Sequence, residues 1–338
     1  MNERYRFSGE AGSFAKLALT EKEVDVIKKL GLTPEDLHKL LITQPFAEGS
    51  YALLFELPRS NSDLVTKAWK NPQHGSGREA NENVALRLLR IHGYKSAPKL
   101  EGYLKTSSIL FEEKIEGETV EHFDKDIIDR LAVALANLHS IELNAYGKPL
   151  TERKKGSRMD YLLDGIETLR QIALPFRGQT ETMGLINRLL VRMKDAADRT
   201  GEAFSDDRFT LIHFDLNPSN IIYSRKDGAL AIVDWEQASA GDNAMDIAKL
   251  FLKSGFDADQ KQEFLTQYES HLPKKGPHFQ ERLRVYELFV LINSIIWRLG
   301  VLRDKPERVS PGNEEQFYDR VKTNLDKEID TLKNFLSE

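Results

Sequence analysis

The stretch LIHFDLNPSNIIY, Leu211–Tyr223, with AIVDWE, Ala231–Glu236, after a tight turn, constrains this chain more than any other part of it. NIIYS and LAIVDW flank the turn-forming RKDG, which predicts a short β-hairpin. Asp215, Asn220 five residues on and Asp234 fourteen further stand next to apolar strand residues. Strand ends hold side chains rigidly, so three oxygen-bearing groups there form a plausible reacting set. Magnesium takes carboxylate and amide oxygens and completes its octahedron with water and substrate phosphates. An Asn with an Asp is therefore a partial magnesium site, and the remaining Asp is left to orient a hydroxyl. Asn and Asp also favour turns, but the joint spacing of these three makes the turn-former reading the weaker one.

A chain of 338 residues has room for about two domains, or two lobes around a cleft. With 48 Lys plus Arg against 53 Asp plus Glu, the net charge is −5, which does not support a general nucleic-acid footprint. Having no cysteine, the chain has no disulfide, thiolate catalyst, Cys-ligated zinc or iron–sulfur cluster, so a metal would sit on oxygen or imidazole. The most apolar run, Leu288–Trp297, is about half a bilayer span and is broken by Asn293 and Ser294, so it reads as a buried helix. No apolar signal region follows the charged N-terminus, and a cytoplasmic protein is expected.

The first third of the chain is strand-rich. Thr20 with Glu23, and Thr33 before Pro34, announce two short helices. LITQPFAEGSYALLFEL and LVTKAW then read as a three-stranded meander, Arg78–His92 as a helix stopped at Gly93, and KLEGYLKT with SSILFEEKI as two further strands. The first lobe is expected to cover residues 1–116 and the second 117–338. In the second, DIIDRLAVALANLH, Met159–Ile172 and Glu181–Ala197 have helical periodicity, and helices dominate from Asp246 onward. GKPLTERKKGSR reads as an exposed basic loop, with Arg153, Lys154, Lys155 and Arg158 in solvent. His139, on an apolar helix face, reads as a hydrogen-bonded core residue.

His213, Asp215, Asn220 and Asp234, followed by GDNAMDIAKL, resemble the motifs of the aminoglycoside phosphotransferase and choline kinase superfamily, small-molecule relatives of protein kinases. The resemblance covers about residues 45–255. It implies an α+β, bilobal protein-kinase-like fold, with a small antiparallel-sheet N-lobe that binds nucleotide and a larger, mostly helical C-lobe. It also implies ATP and Mg2+ as cofactors and transfer of a phosphoryl group to a small-molecule hydroxyl. In these terms Asp215 meets the acceptor hydroxyl, and Asn220 and Asp234 hold magnesium. Asp246 braces the catalytic loop, with His213 as a structural support. Lys67 in LVTKAW corresponds to the phosphate-contacting lysine, and Glu82, rather than Glu79, is its expected partner. Gly49 and Ser50 of AEGSY lie where a phosphate loop is expected, and Glu113, Lys114 and Ile115 of FEEKIEG lie at the lobe connector beside adenine. The sequence departs from the pattern at Phe214, where a small or polar residue is usual. Asp234-Trp235-Glu236 replaces the Asp-Phe-Gly of protein kinases, which favours a metabolite acceptor.

Choline, ethanolamine, thiamine, sugars, amino-alcohols and aminoglycosides all lie within the superfamily's range. Glu236, Asp242 and Glu287 would suit a cationic acceptor. A nucleotide-binding pseudokinase would usually lack Asp215 or Asn220, and both are present. A protein kinase would favour a longer segment between Asp234 and Asp246. The expected partners are thus ATP and a small hydroxyl acceptor, without nucleic acid and without a membrane span.

Overall fold

In the computed structural model, the described residues are 19–48, 51–57, 63–70, 77–148, 150–176, 178, 180–273, 278–304 and 314–337. They fall into two compact units. One runs to His122 and includes residues 149–151 and 219–238, and the other holds residues 123–148, 152–218 and everything from 239 onward.

The first unit opens with α1 (Glu21–Lys29) and α2 (Pro34–Leu41). Both start in capping boxes, Thr20 with Glu23 and Thr33 with Asp36, which satisfy backbone N–H groups that a helix start leaves unpaired. Glu23 also accepts from Thr106 N at 2.8 Å, pinning α1 to the turn between two strands. Strands β1 (Ala47–Glu48), β2 (Ala52–Leu57) and β3 (Leu64–Trp69) precede α3 (Arg78–Ile91), and β4 (Leu100–Leu104), β5 (Ile109–Glu113) and β6 (Glu118–Thr119) follow it. All pairings in the five-stranded sheet, ordered β1-β2-β3-β5-β4, are antiparallel.

Strand alternation decides what each face of this sheet carries. Leu64 and Ala68 of β3 and Ile109 and Phe111 of β5 join Phe55, Ile27, Leu37 and Leu41 in one buried cluster against α1 and α2. Lys67 pairs with Leu110 in register, so Lys67, Leu110 and Glu112 project from the opposite face.

The second unit begins with α4 (Lys125–Leu138), β7 (Glu142–Leu143), α5 (Arg158–Ala173), α6 (Thr180–Arg199), α7 (Gly201–Phe204) and β8 (Phe209–Ile212). The hairpin of β9 (Ile221–Tyr223) and β10 (Leu230–Ile232) then returns to the first unit, where β9 pairs with β6. Thus residues 219–238, which the sequence pattern groups with the helical half, pack with the strand-rich half. The second unit resumes with β11 (Ser239–Gly241), α8 (Asn243–Ser254), α9 (Ala258–His271), α10 (Phe279–Asp304) and α11 (Glu314–Ser337).

Strand β8 lies between β11 and β7, and all four of its residues are buried. Phe251, Phe256, Phe264 and Tyr268 form a chain of ring contacts 5.7–6.2 Å apart between α8 and α9. Helix α10 is long and apolar enough to cross a membrane, but 72% of its most apolar window is buried inside the protein. Within the run expected to be core, Trp297 is the exception at 46% exposed. Arg158, expected in solvent, is buried, because it reaches Asp206 and Asp242, each at 3.4 Å.

Candidate active site

Lys67 is buried on β3, and its ammonium lies 2.8 Å from Glu82 of α3 and 2.6 Å from Asp234. A buried ammonium is tolerated only when paired. Burial works against the charged form of Lys67, but Glu82 and then Asp234 hold its pKa well above the ordinary value. Burial pushes Glu82 upward, and Lys67 opposes that push. Glu82 also accepts from Trp235 N at 3.0 Å, so one carboxylate orients both the lysine and the turn after Asp234.

The β9–β10 hairpin brings the two expected metal ligands to one end. Ile221 pairs with Ile232, and beyond them Val233 N donates to Asn220 O at 2.9 Å, which sets Asp234 next in line. Asp234 has φ +67°, a left-handed conformation that Asp tolerates better than most residues. The following Trp235–Gln237 turn is held from α3: Asn81 Nδ2 donates to Glu236 O at 3.0 Å and Ala238 O at 2.8 Å, and Arg78 pairs with Glu236 at 2.7 Å. An amide oxygen and a carboxylate at the open end of a hairpin are hard donors of the kind magnesium takes. Among the described residues no cluster of three His, Asp or Glu side chains forms a closed metal cage.

In the second unit, Asp215 is half-buried in the loop after β8. Asp246 of α8, fully buried, accepts from His213 N and Phe214 N, both at 2.7 Å. His139 supports Asp246 from behind: Nε2 lies 3.2 Å from Asp246 Oδ2, and Nδ1 lies 2.7 Å from the Tyr268 hydroxyl. These contacts fix the backbone that carries Asp215, whose Oδ1 accepts from Asn217 Nδ2 at 2.8 Å. Phe214 has φ +65°, a left-handed conformation that a bulky residue rarely adopts.

Gly49 and Ser50 lie outside the described residues. Glu113 and Ile115 are partly exposed at and just beyond the end of β5; Glu113 pairs with Lys99 at 3.2 Å. The buried acid of that strand is Glu112, whose Oε2 has no hydrogen-bond partner among the described residues and whose pKa burial raises to about 7. Sequence reasoning missed Glu112, Asn81 and Lys249. Only strand alternation about Lys67 signals the first, and no local pattern signals the other two.

Residues 72–280 match the phosphotransferase enzyme family, and the chain belongs to that family. No curated protein matches the sequence significantly. Its fold is similar to that of choline kinase LicA from Streptococcus pneumoniae, at 20% identity over 84% of this chain and 92% of that one, with a TM-score of 0.58. It is likewise similar to an ethanolamine kinase from Plasmodium vivax, at 16% identity over 82% and 80%, with a TM-score of 0.60. A spectinomycin phosphotransferase solved with ADP and spectinomycin aligns at 14% identity over 82% and 88%, with a TM-score of 0.55. At these identities the likeness is one of fold: a small antiparallel-sheet part and a larger helical part, as in small-molecule kinases.

Proposed function

We propose that this phosphotransferase moves the γ-phosphoryl group of ATP to a hydroxyl of a small molecule with magnesium as cofactor. The observation that carries the reading is the Lys67 ammonium held by Glu82 and Asp234 within one unit, with Asn220 at the same hairpin end. Lys67 contacts the nucleotide phosphates, and Glu82 keeps it charged and aimed. Asn220 and Asp234 would hold the magnesium, which would supply positive charge to the phosphate oxygens. Asp215 takes the proton of the acceptor hydroxyl as the oxygen–phosphorus bond forms and the bond to the ADP oxygen breaks. The bracing of its loop by Asp246 keeps that carboxylate in one place, which is the entropic part of catalysis.

The deciding experiment is ADP release from Mg-ATP across a panel of hydroxylated metabolites and aminoglycosides, alongside calorimetry of nucleotide binding. Acceptor-dependent ADP formation that disappears in EDTA and returns with magnesium is expected. If Mg-ATP binds but no hydroxyl compound stimulates turnover, the protein is a nucleotide-binding module and the reading fails.

A further inference from the structure

Helix α8 presents Asp246, Lys249 and Lys253 at steps of three and four residues, so all three share one face. Asp246 marks where that face points, because it holds the loop of Asp215. One turn on, Lys249 Nζ lies 3.6 Å from Asp215 Oδ1. A further turn on, Lys253 donates to the neutral Ser294 hydroxyl at 3.2 Å and has no carboxylate partner among the described residues. An ammonium has three donors, so much of the capacity of Lys253 is unused by the described residues. The nearby acid is already taken: Glu328 of α11 receives two bonds from Arg298, both at 2.9 Å, and a third from Ser294. Burial, and then the neighbouring Lys249, push the Lys253 ammonium down to about 8, while Glu328 and Asp215 pull the other way.

The acids that would recommend a cationic acceptor are committed elsewhere. Asp242 is buried against Arg282 at 2.8 Å, Glu287 faces Lys261 at 3.4 Å, and Glu236 belongs to Arg78. Beside the proposed base, Lys249 pairs with Asp215 and Arg298 with Glu328, which leaves Lys253 as the cation without a paired carboxylate among the described residues.

We infer that the hydroxyl acceptor carries an anionic group, a carboxylate or a phosphate, which Lys249 and Lys253 hold while its hydroxyl meets Asp215. The inference rests on the phosphotransfer reading above and narrows its substrate. One helical turn rises about 5.4 Å, so the hydroxyl and the anionic group are a few bonds apart, as in a short hydroxy acid or a phosphorylated short polyol. In the transfer, the acceptor oxygen bonds to the γ-phosphorus of ATP, ADP leaves with the bridging oxygen, and the hydroxyl proton passes to Asp215. The anionic group does not react.

The test uses the full chain with Mg-ATP and acceptors matched in size but not in charge: D-glycerate, glycerol 3-phosphate, glycerol, choline and ethanolamine. A kcat/KM at least about tenfold higher for one of the two anions than for glycerol and both amines is expected, the size of effect that a charge-assisted contact gives. Which anion leads tells carboxylate from phosphate. Lys253→Gln should raise the KM for that anion by about ten- to a hundredfold with the KM for Mg-ATP unchanged, and Lys253→Glu should raise it further. Lys194→Gln, on the exposed side of α6, is the control. Equal or better turnover of glycerol or the amines overturns the inference and leaves phosphotransfer standing. An equal loss for every acceptor in Lys253→Gln also overturns it, since the lysine would then act without regard to acceptor charge. Turnover of none of the five overturns it too, and failure to bind Mg-ATP as well would bring down the reading beneath it.

Discussion

The surroundings of Lys67 and of Asp215 are opposite in sign. On the strand-rich side two cations, Lys67 and Arg78, face four carboxylates: Glu82, Glu112, Asp234 and Glu236. On the helical side Asp215 faces Lys249, and Lys253 stands one turn behind it with no carboxylate partner among the described residues. Uncompensated charge in partly buried surroundings is costly, so each region is completed by what it binds. On the reading proposed above, magnesium would bring positive charge to the first, and an anionic acceptor would give Lys253 a partner in the second.

The sharpest way to break this comparison is to remove the one carboxylate proposed to do proton chemistry. Asp215→Asn keeps the size of the side chain but cannot take the acceptor proton, so kcat should fall by about 100- to 10,000-fold with nucleotide affinity unchanged. Single-turnover transfer to an identified acceptor measures it. An unchanged rate would make Asp215 a structural loop residue.

On the other side the corresponding change is Lys67→Ala, and its first effect falls on binding. Losing a charge-assisted phosphate contact should weaken Mg-ATP binding by about 1.5–3 kcal/mol, read by calorimetry. The same variant leaves Glu82 buried without its ammonium, so its melting temperature should fall as well. Equal ATP affinity in the two proteins would move the phosphate contact elsewhere.

The acid surplus has a pH signature in Glu112. Burial raises its pKa from 4.5 to about 7, so between those values the folded protein binds more protons than the unfolded chain. Stability contributed by this group is then lost as pH rises through that window. Glu112→Gln removes the ionisation, and it should raise stability by about 1–3 kcal/mol at pH 8 while changing little at pH 4.5. Thermal melts of both proteins at the two pH values are the measurement. A gain as large at pH 4.5 as at pH 8 would trace the effect to packing instead of charge.

Much of this architecture is legible in the sequence because its signals are local. The capping box at Thr20 and the N-cap of Thr33 before Pro34 are written within four residues, and the hairpin holding Asn220 and Asp234 is announced by RKDG between apolar runs. Resemblance then supplies roles for Lys67, Glu82 and Asp215 that spacing alone does not carry. What stays hidden is set by contacts distant in sequence. Arg158 looks like part of a solvated basic loop until Asp206 and Asp242 arrive from 48 and 84 positions away to bury it. Lys249 gains its meaning only when the loop of Asp215, held by Asp246 one turn earlier on the same helix, is folded against it. Glu236, Asp242 and Glu287 read as free acids in the sequence, and each has a cation in the fold.

The smallest expected effect tests backbone strain, and again the two regions differ. Asp234 and Phe214 both adopt a left-handed conformation, with φ +67° and +65°. Asp enters this region with local hydrogen bonding to help it, whereas a Phe Cβ crowds the following carbonyl. Phe214 keeps the conformation because its N–H is bonded to Asp246. Phe214→Gly alone would mix relief of strain with loss of the ring, so the informative contrast is with Phe214→Ala, which loses the ring but keeps the Cβ. Glycine should be the more stable of the two by about 1 kcal/mol, read as the difference in urea midpoint, even though glycine ordinarily costs more backbone entropy than alanine. Should the alanine variant equal or exceed it, Phe214 is not strained in the folded protein.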